Sequence, residues 1–180
     1  NPNNEQFKTP AVIIANHQSF LDILVLVMLH PKIIMMTNKW VWNSPVFGFV
    51  VQMADYQLAE NTEAKLDQIK EKVADGYSII VYPEGTRNKH GIIQRFHKGA
   101  FYLAERLNID ILPVVLHGTG YCMSKNEFLL KDGEMTVKYL DRISPTDAQY
   151  GTGYAERTKL IAAHFKQEYA ALSEQIEQPA

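Results

Sequence analysis

The apolar residues of this chain fall into short unbroken runs separated by stretches with helical spacing. The runs at 11–15, 32–36, 78–82, 111–117 and 134–140 have the length of strands. Between them, 20–30, 44–53, 62–75 and 99–107 carry helix-like patterns, and 154–176 forms a long closing helix. This alternation predicts an α/β fold with a mixed, mostly parallel sheet flanked by helices. The clearest helix is 62–75, where Thr62 is a good N-cap, Leu66, Ile69 and Val73 form one stripe, and Gly76 stops the pattern after Asp75. In the last helix Leu160, Ile161, Phe165, Tyr169 and Leu172 make an apolar face beside Lys159, Lys166, Glu168 and Glu174. That is the pattern of a packing helix without chemistry. Asp132-Gly133, between apolar 128–130 and the alternating residues from Met135 to Leu140, signals a hairpin turn and an antiparallel strand at the sheet edge.

Composition leaves this picture intact and narrows the function. A chain of 180 residues, 46% AVILMFWYC and 21% charged, can bury a sizeable core, so 1–180 reads as a single domain. A net charge of -2 with no basic stripe gives no electrostatic reason to expect nucleic acid. The single Cys122 cannot form an internal disulfide and reads as a small buried hydrophobe. The chain opens on Asn1-Pro2-Asn3-Asn4, without an initiator Met or a signal-peptide pattern, and is expected to be an excised piece of a longer protein. Its longest apolar run, 23–29, is closed by Pro31 and falls far short of the ~20 residues of a spanning helix. Trp40, Trp42 and apolar 47–51 fit either a patch at a lipid interface or core aromatics.

Candidate chemistry sits at two strand ends. Strand 11–15 turns into helix 20–30 through Asn16-His17-Gln18-Ser19, which puts His17 at a junction where α/β proteins place their sites. Asp22 could hold one ring nitrogen and steady an imidazolium while the other nitrogen takes a proton from an alcohol. The same Asp22 completes a capping-box pattern with Ser19, so a structural role stands beside the catalytic one. The second segment, Tyr82-Pro83-Glu84-Gly85-Thr86-Arg87-Asn88, follows the run 78–81. It reads either as a solvated tight turn or as an anion site. In the second reading the Arg87 fork and the turn amides face a phosphate, and Glu84 holds Arg87 or a substrate hydroxyl. No cluster at metal-ligand spacing and no Gly-x-Ser-x-Gly elbow is present. His97 reads as a loop residue, and His30, His90, His117 and His164 have no acidic partner at a readable spacing.

The two segments together resemble the glycerol-phosphate and lysophospholipid acyltransferase superfamily. Its first signature is a His and an Asp separated by four residues, here His17 and Asp22, and its third is Pro-Glu-Gly-Thr-Arg, here Pro83 to Arg87. Arg95-Phe96-His97-Lys98-Gly99-Ala100-Phe101 is similar to the segment after the third block. Ile111-Leu112-Pro113-Val114-Val115-Leu116, followed by Gly118, looks like the fourth block. The resemblance spans roughly 11 to 120. It implies an O-acyltransferase that moves a fatty acyl group from acyl-CoA or acyl carrier protein to the hydroxyl of a lysophospholipid-like acceptor, with no further cofactor and no metal. It also implies His17 as general base, Asp22 as its orienter, and Glu84, Gly85, Thr86 and Arg87 as substrate-binding residues; Lys98 and Arg95 read either as surface charges or as ligands of a phosphate on the acceptor or on the donor's pantetheine arm.

The second block departs from the family pattern. The run from Gly48 to Tyr56 carries Tyr56 where the family has an Arg for the acceptor phosphate. An uncharged phenol cannot replace a bidentate cation, so phosphate monoesters are expected to be poor acceptors. Tyr56 and the excised character also look like the acyltransferase portion of bacterial fusion proteins that join a lipid exporter to such a domain. That likeness implies a place on the cytoplasmic side of the inner membrane, peripheral or tethered. Two other readings are a thioesterase or esterase using the same base, and a non-catalytic acyl-carrier- or lipid-binding module.

Overall fold

The computed structural model describes residues 5–37, 57–58, 65–89, 91–125, 127 and 129–177. Helix 44–53, Thr62, Trp40, Trp42, Tyr56 and His90 lie outside these residues. In chain order the elements are β1 (Ala11–Ala15), α1 (Leu21–Leu29), β2 (Ile33–Thr37), β3 (Gln57–Leu58), α2 (Leu66–Ala74), β4 (Ser78–Val81), α3 (Gly99–Leu107), β5 (Asp110–His117), α4 (Thr119–Cys122), β6 (Thr136–Tyr139) and α5 (Tyr154–Glu177). The sheet runs β3-β2-β4-β1-β5-β6, parallel throughout except for antiparallel β6.

The two faces of the sheet follow from the strand period of two. On β1, Val12 and Ile14 point into a cluster with Leu66 and Ile69 of α2, Phe101 and Leu103 of α3, and Ile161 and Phe165 of α5. Ala11, Ile13 and Ala15 point the other way, into a cluster with Leu26 of α1, Ile80, Leu112, Val114 and Leu116. All five β1 residues are buried, which explains why the strand reads as a continuous apolar run with no polar alternation. Ile13, fully buried between neighbours from β4 and β5, sits where truncation to Ala typically costs about 2–5 kcal/mol.

Among the described residues the five expected strands and the helices expected at 20–30, 62–75, 99–107 and 154–176 stand within a few residues of where the apolar runs placed them. β3 was missed because two residues carry no periodicity, and α4 because its four residues, TGYC, are too few for a stripe. The hairpin at Asp132-Gly133 is not formed, since residues 129–135 are not strand, but the antiparallel strand expected at the sheet edge is present: β6 pairs with β5. Gly118 turns the chain out of the sheet at φ +88°, where an added Cβ would overlap the Glu134 carbonyl oxygen. The edge of β5 is thereby left open to β6, while Leu129 and Leu130 remain 71% and 64% exposed. On α5, Leu160 is 40% exposed and lies off the apolar face expected to include it.

Candidate active site

β1 lies between β4 and β5, so the C-terminal ends of these three parallel strands are neighbours. Ligand sites of open α/β sheets form at such ends. His17 leaves the sheet here, and Asn16 sets where it leaves. The buried Asn16 amide donates from Nδ2 to the Leu116 carbonyl at 2.8 Å and accepts from the Leu116 N–H at 2.8 Å, extending the β1–β5 ladder by a side chain. The His17 backbone is gripped at both ends: its N–H donates to Glu84 Oε1 at 2.9 Å, and its carbonyl accepts from the Asn88 N–H at 2.8 Å. The imidazole stacks on the Tyr82 ring with centroids 4.1 Å apart. Its rotamer is therefore held by packing as well as by hydrogen bonds.

His17 Nδ1 lies 2.9 Å from Oδ2 of Asp22. Asp22 is fully buried, whereas the His17 side chain is 14% exposed. The same Oδ2 accepts the backbone N–H of Gln18 at 2.6 Å and of Ser19 at 2.8 Å. Asp22 thus binds the ring and two backbone N–H groups of the turn before α1 through one oxygen; of the expected capping box only the bond back to the Ser19 N–H forms, since the Ser19 hydroxyl turns away to Met123. With Nδ1 facing a carboxylate, the proton of a neutral imidazole belongs on Nδ1 and Nε2 carries the lone pair. Ser19 Oγ donates to the Met123 carbonyl at 2.7 Å, and Gln18 Nε2 donates to the Tyr169 hydroxyl at 2.9 Å. α5, expected to be packing only, therefore steadies the residue next to His17.

Glu84, expected at the substrate head group, instead commits both oxygens to protein donors. Oε1 takes the His17 N–H, and Oε2 takes the Gln94 N–H at 2.7 Å and the Asn88 side-chain amide. It is 4% exposed. Burial pushes its carboxyl above the usual range, against the opposing pull of the N–H groups of Gln94 and His17 and the Asn88 amide. Glu84 locks the loop after β4 to the His17 backbone. Gly85, at φ +71° beside His97, and Thr86 are exposed at the tip of that loop.

Arg87 is half-buried. Its guanidinium lies over the Phe20 ring, with Cζ 3.9 Å from the centroid, and Nη1 donates to the Lys125 carbonyl at 3.0 Å. Burial lowers its pKa, and the charge of Asp22 opposes that shift. The fold thus joins His17, Asp22 and the 84–88 loop in one network, and Phe20 carries Arg87 to its edge. Lys98 stands exposed at the start of α3, and no hydrogen bond or ion pair joins it to the others among the described residues.

Sequence reasoning missed Asn16, Tyr82, Asn88 and Tyr169 as supports of the site. Asn88 could have been found as a polar residue four after Glu84; Tyr169 lies 151 residues from Gln18 and left no local signal. His117 also has an acidic partner that spacing could not reveal, Glu177 at 3.2 Å and 60 residues away. Among the described residues no group of three or more His, Cys, Asp and Glu side chains could hold a metal. None of the described helices is long and apolar enough to cross a membrane.

Comparison with known proteins adds independent findings. The Acyltransferase family model matches residues 1–117. A 1-acyl-sn-glycerol-3-phosphate acyltransferase of Cocos nucifera is 34% identical over 152 residues, covering 80% of this chain and 49% of the relative. The human 1-acyl-sn-glycerol-3-phosphate acyltransferase beta is 29% identical over 150 residues, covering 79% of this chain and 54% of the relative. The chain spans about half the length of these curated relatives. Among solved structures, the 1-acyl-sn-glycerophosphate acyltransferase PlsC of Thermotoga maritima superposes with a TM-score of 0.79 at 21% identity, covering all of this chain and 72% of that one. That likeness establishes the shared fold.

Proposed function

This chain belongs to the acyltransferase family, and from that premise we propose that it transfers a fatty acyl group from an acyl thioester to the hydroxyl of a lysophospholipid. The observation that carries the reading is the His17–Asp22 pair: a partly exposed imidazole whose Nδ1 is 2.9 Å from a fully buried carboxylate, with an arginine on the same loop system. His17 Nε2 takes the proton of the acceptor hydroxyl as its oxygen attacks the thioester carbonyl carbon. The new C–O bond forms, the C–S bond breaks, and the departing thiolate recovers the proton from His17. Asp22 holds the ring and stabilises the transient imidazolium. A thioester is already activated, so positioning and a base supply most of what the reaction asks of these residues, without a metal or resident cofactor.

Arg87 supplies the fork that recognises the acceptor phosphate, and Thr86 stands exposed beside it on the same loop, while the Gly85 N–H is taken by the Tyr82 carbonyl at 3.0 Å. The relatives' names nominate 1-acyl-sn-glycerol-3-phosphate as an acceptor. Tyr56 argues that lysophospholipids without a terminal phosphate are used better. The donor is acyl-CoA or acyl carrier protein, and the acceptor is met at a membrane surface, on our reading the cytoplasmic face of the inner membrane. The test is thiol release from acyl-CoA or acyl carrier protein with and without lysophospholipid, together with recovery of the diacyl product. Release that requires the acceptor supports transfer. Acceptor-independent release means hydrolysis, and binding without release means a carrier-binding module; either outcome overturns the reading.

A further inference from the structure

The four residues between His17 and Asp22 include one whose place the proton chemistry does not explain. Phe20 is partly exposed and, among the described residues, belongs to neither hydrophobic cluster of the core. Its ring lies under Arg87, with the guanidinium carbon 3.9 Å from the ring centroid. A flat cation on a flat ring is attracted by the ring quadrupole and confined to a plane. The Lys125 carbonyl then fixes rotation within that plane by accepting from Nη1 at 3.0 Å. The segment that supplies this carbonyl is itself tied to the Phe20 loop, since Ser19 Oγ donates to Met123 O at 2.7 Å. Arg87 is thus held from both sides by parts of the chain outside its own loop.

An unheld arginine side chain samples many rotamers, and a two-pronged grip on a phosphate uses one orientation of the fork. We propose that Phe20 is a positioning residue for the acceptor: its ring fixes the plane of the Arg87 guanidinium, so that the N–H groups not engaged by Lys125 meet the lysophospholipid phosphate pre-oriented. One of the four residues between the base and its carboxylate therefore sets how tightly the acceptor is held, and it ties the turn after β1 to the loop after β4 that carries the head-group clamp. The inference rests on the reading of Arg87 as the phosphate ligand.

The test is a double-mutant cycle read in Michaelis constants for lysophospholipid and for acyl thioester, using wild type, Phe20→Leu, Phe20→Trp, Arg87→Ala and the Phe20→Leu/Arg87→Ala pair. Phe20→Leu should raise the acceptor KM about three- to ten-fold while leaving kcat and the donor KM within about two-fold. Phe20→Trp keeps an aromatic face and should restore the acceptor KM. In the Arg87→Ala background Phe20→Leu should change nothing further. Equal rises in both KM values, failure of Trp to rescue, or an effect of Phe20→Leu that persists without Arg87 each overturn the proposal. If Arg87→Ala leaves the acceptor KM unchanged, the assignment of Arg87 falls and takes the proposal with it. If Arg87→Ala raises that KM and Phe20→Leu does not, the role of Phe20 alone falls.

Discussion

Replacing Asp22 by Asn separates the two tasks that one oxygen performs. Oδ2 accepts from His17 Nδ1 at 2.9 Å, Gln18 N at 2.6 Å and Ser19 N at 2.8 Å, inside a fully buried site. An Asn can place its amide oxygen where Oδ2 sits and keep these contacts, but without charge. A hydrogen bond to a charged group contributes about 1.5–3 kcal/mol and a neutral one about 0.5–1.5, so each bond weakens by roughly 1–1.5 kcal/mol. The two backbone bonds serve the folded state whatever the ring does, giving a stability loss of about 2–3 kcal/mol. The Asn NH2 would occupy the place of Oδ1, which has no hydrogen-bond partner among the described residues, and gains nothing there. For a chain of this size that corresponds to roughly 4–12 °C in Tm. The ring bond strengthens when imidazolium forms, so its loss appears in the rate, at about 10²-fold or more in kcat, equivalent to ~2.7 kcal/mol. Thermal denaturation and thiol release at saturating substrates measure the two terms separately. A folded Asp22→Asn protein with wild-type kcat refutes the role as orienter, and an unchanged Tm refutes the role as cap.

Arg87→Lys keeps the charge but loses the fork and should raise the acceptor KM far more than the donor KM; equal changes in steady-state assays would move Arg87 to the donor side or to a structural role. Tyr56→Arg should improve turnover of phosphate-monoester acceptors selectively in a competition between lysophosphatidate and a lysophospholipid lacking the terminal phosphate; no gain would mean that the tyrosine does not set acceptor preference. Glu84→Gln probes the buried carboxylate. Its folded pKa is raised above the unfolded value, so the folded state binds the proton more tightly. The contribution is then fully present below the ordinary carboxyl value of 4.5 and is lost as pH rises through the raised folded pKa. Urea denaturation of both proteins should show the wild-type advantage over Glu84→Gln shrinking with rising pH across that window, and an advantage that grows there would contradict the assignment.

The scaffold was legible because its information is local. β1 reads as a strand from five successive apolar residues, and Gly76 and Gly118 mark real chain reversals at φ +91° and +88°. The contact of His17 with Asp22 was legible through residue chemistry and motif spacing. What could not be read is which oxygen answers which donor. Nothing in the sequence distinguishes a Glu84 that faces substrate from one that binds His17 N and Gln94 N, because that depends on how two strand ends 67 residues apart meet. The same holds for Tyr169 under Gln18 and for Glu177 beside His117, contacts made by a helix at the far end of the chain. The Asp132-Gly133 hairpin failed for a related reason: a turn signal is local, but the partner of β6 was decided by the open edge of β5.

The claim at the centre of this account is that His17 takes the acceptor's proton. The most direct measurement is acyl transfer by His17→Ala, with thiol release and diacyl product both recorded from protein whose circular dichroism and Tm show it folded. We expect transfer to fall by at least about 10²-fold while donor binding persists, since the proposed mechanism needs the imidazole for proton transfer whereas the hydrogen bonds to Glu84 and Asn88 use only the His17 backbone. A folded His17→Ala protein that transfers acyl groups at the wild-type rate would contradict the mechanism outright.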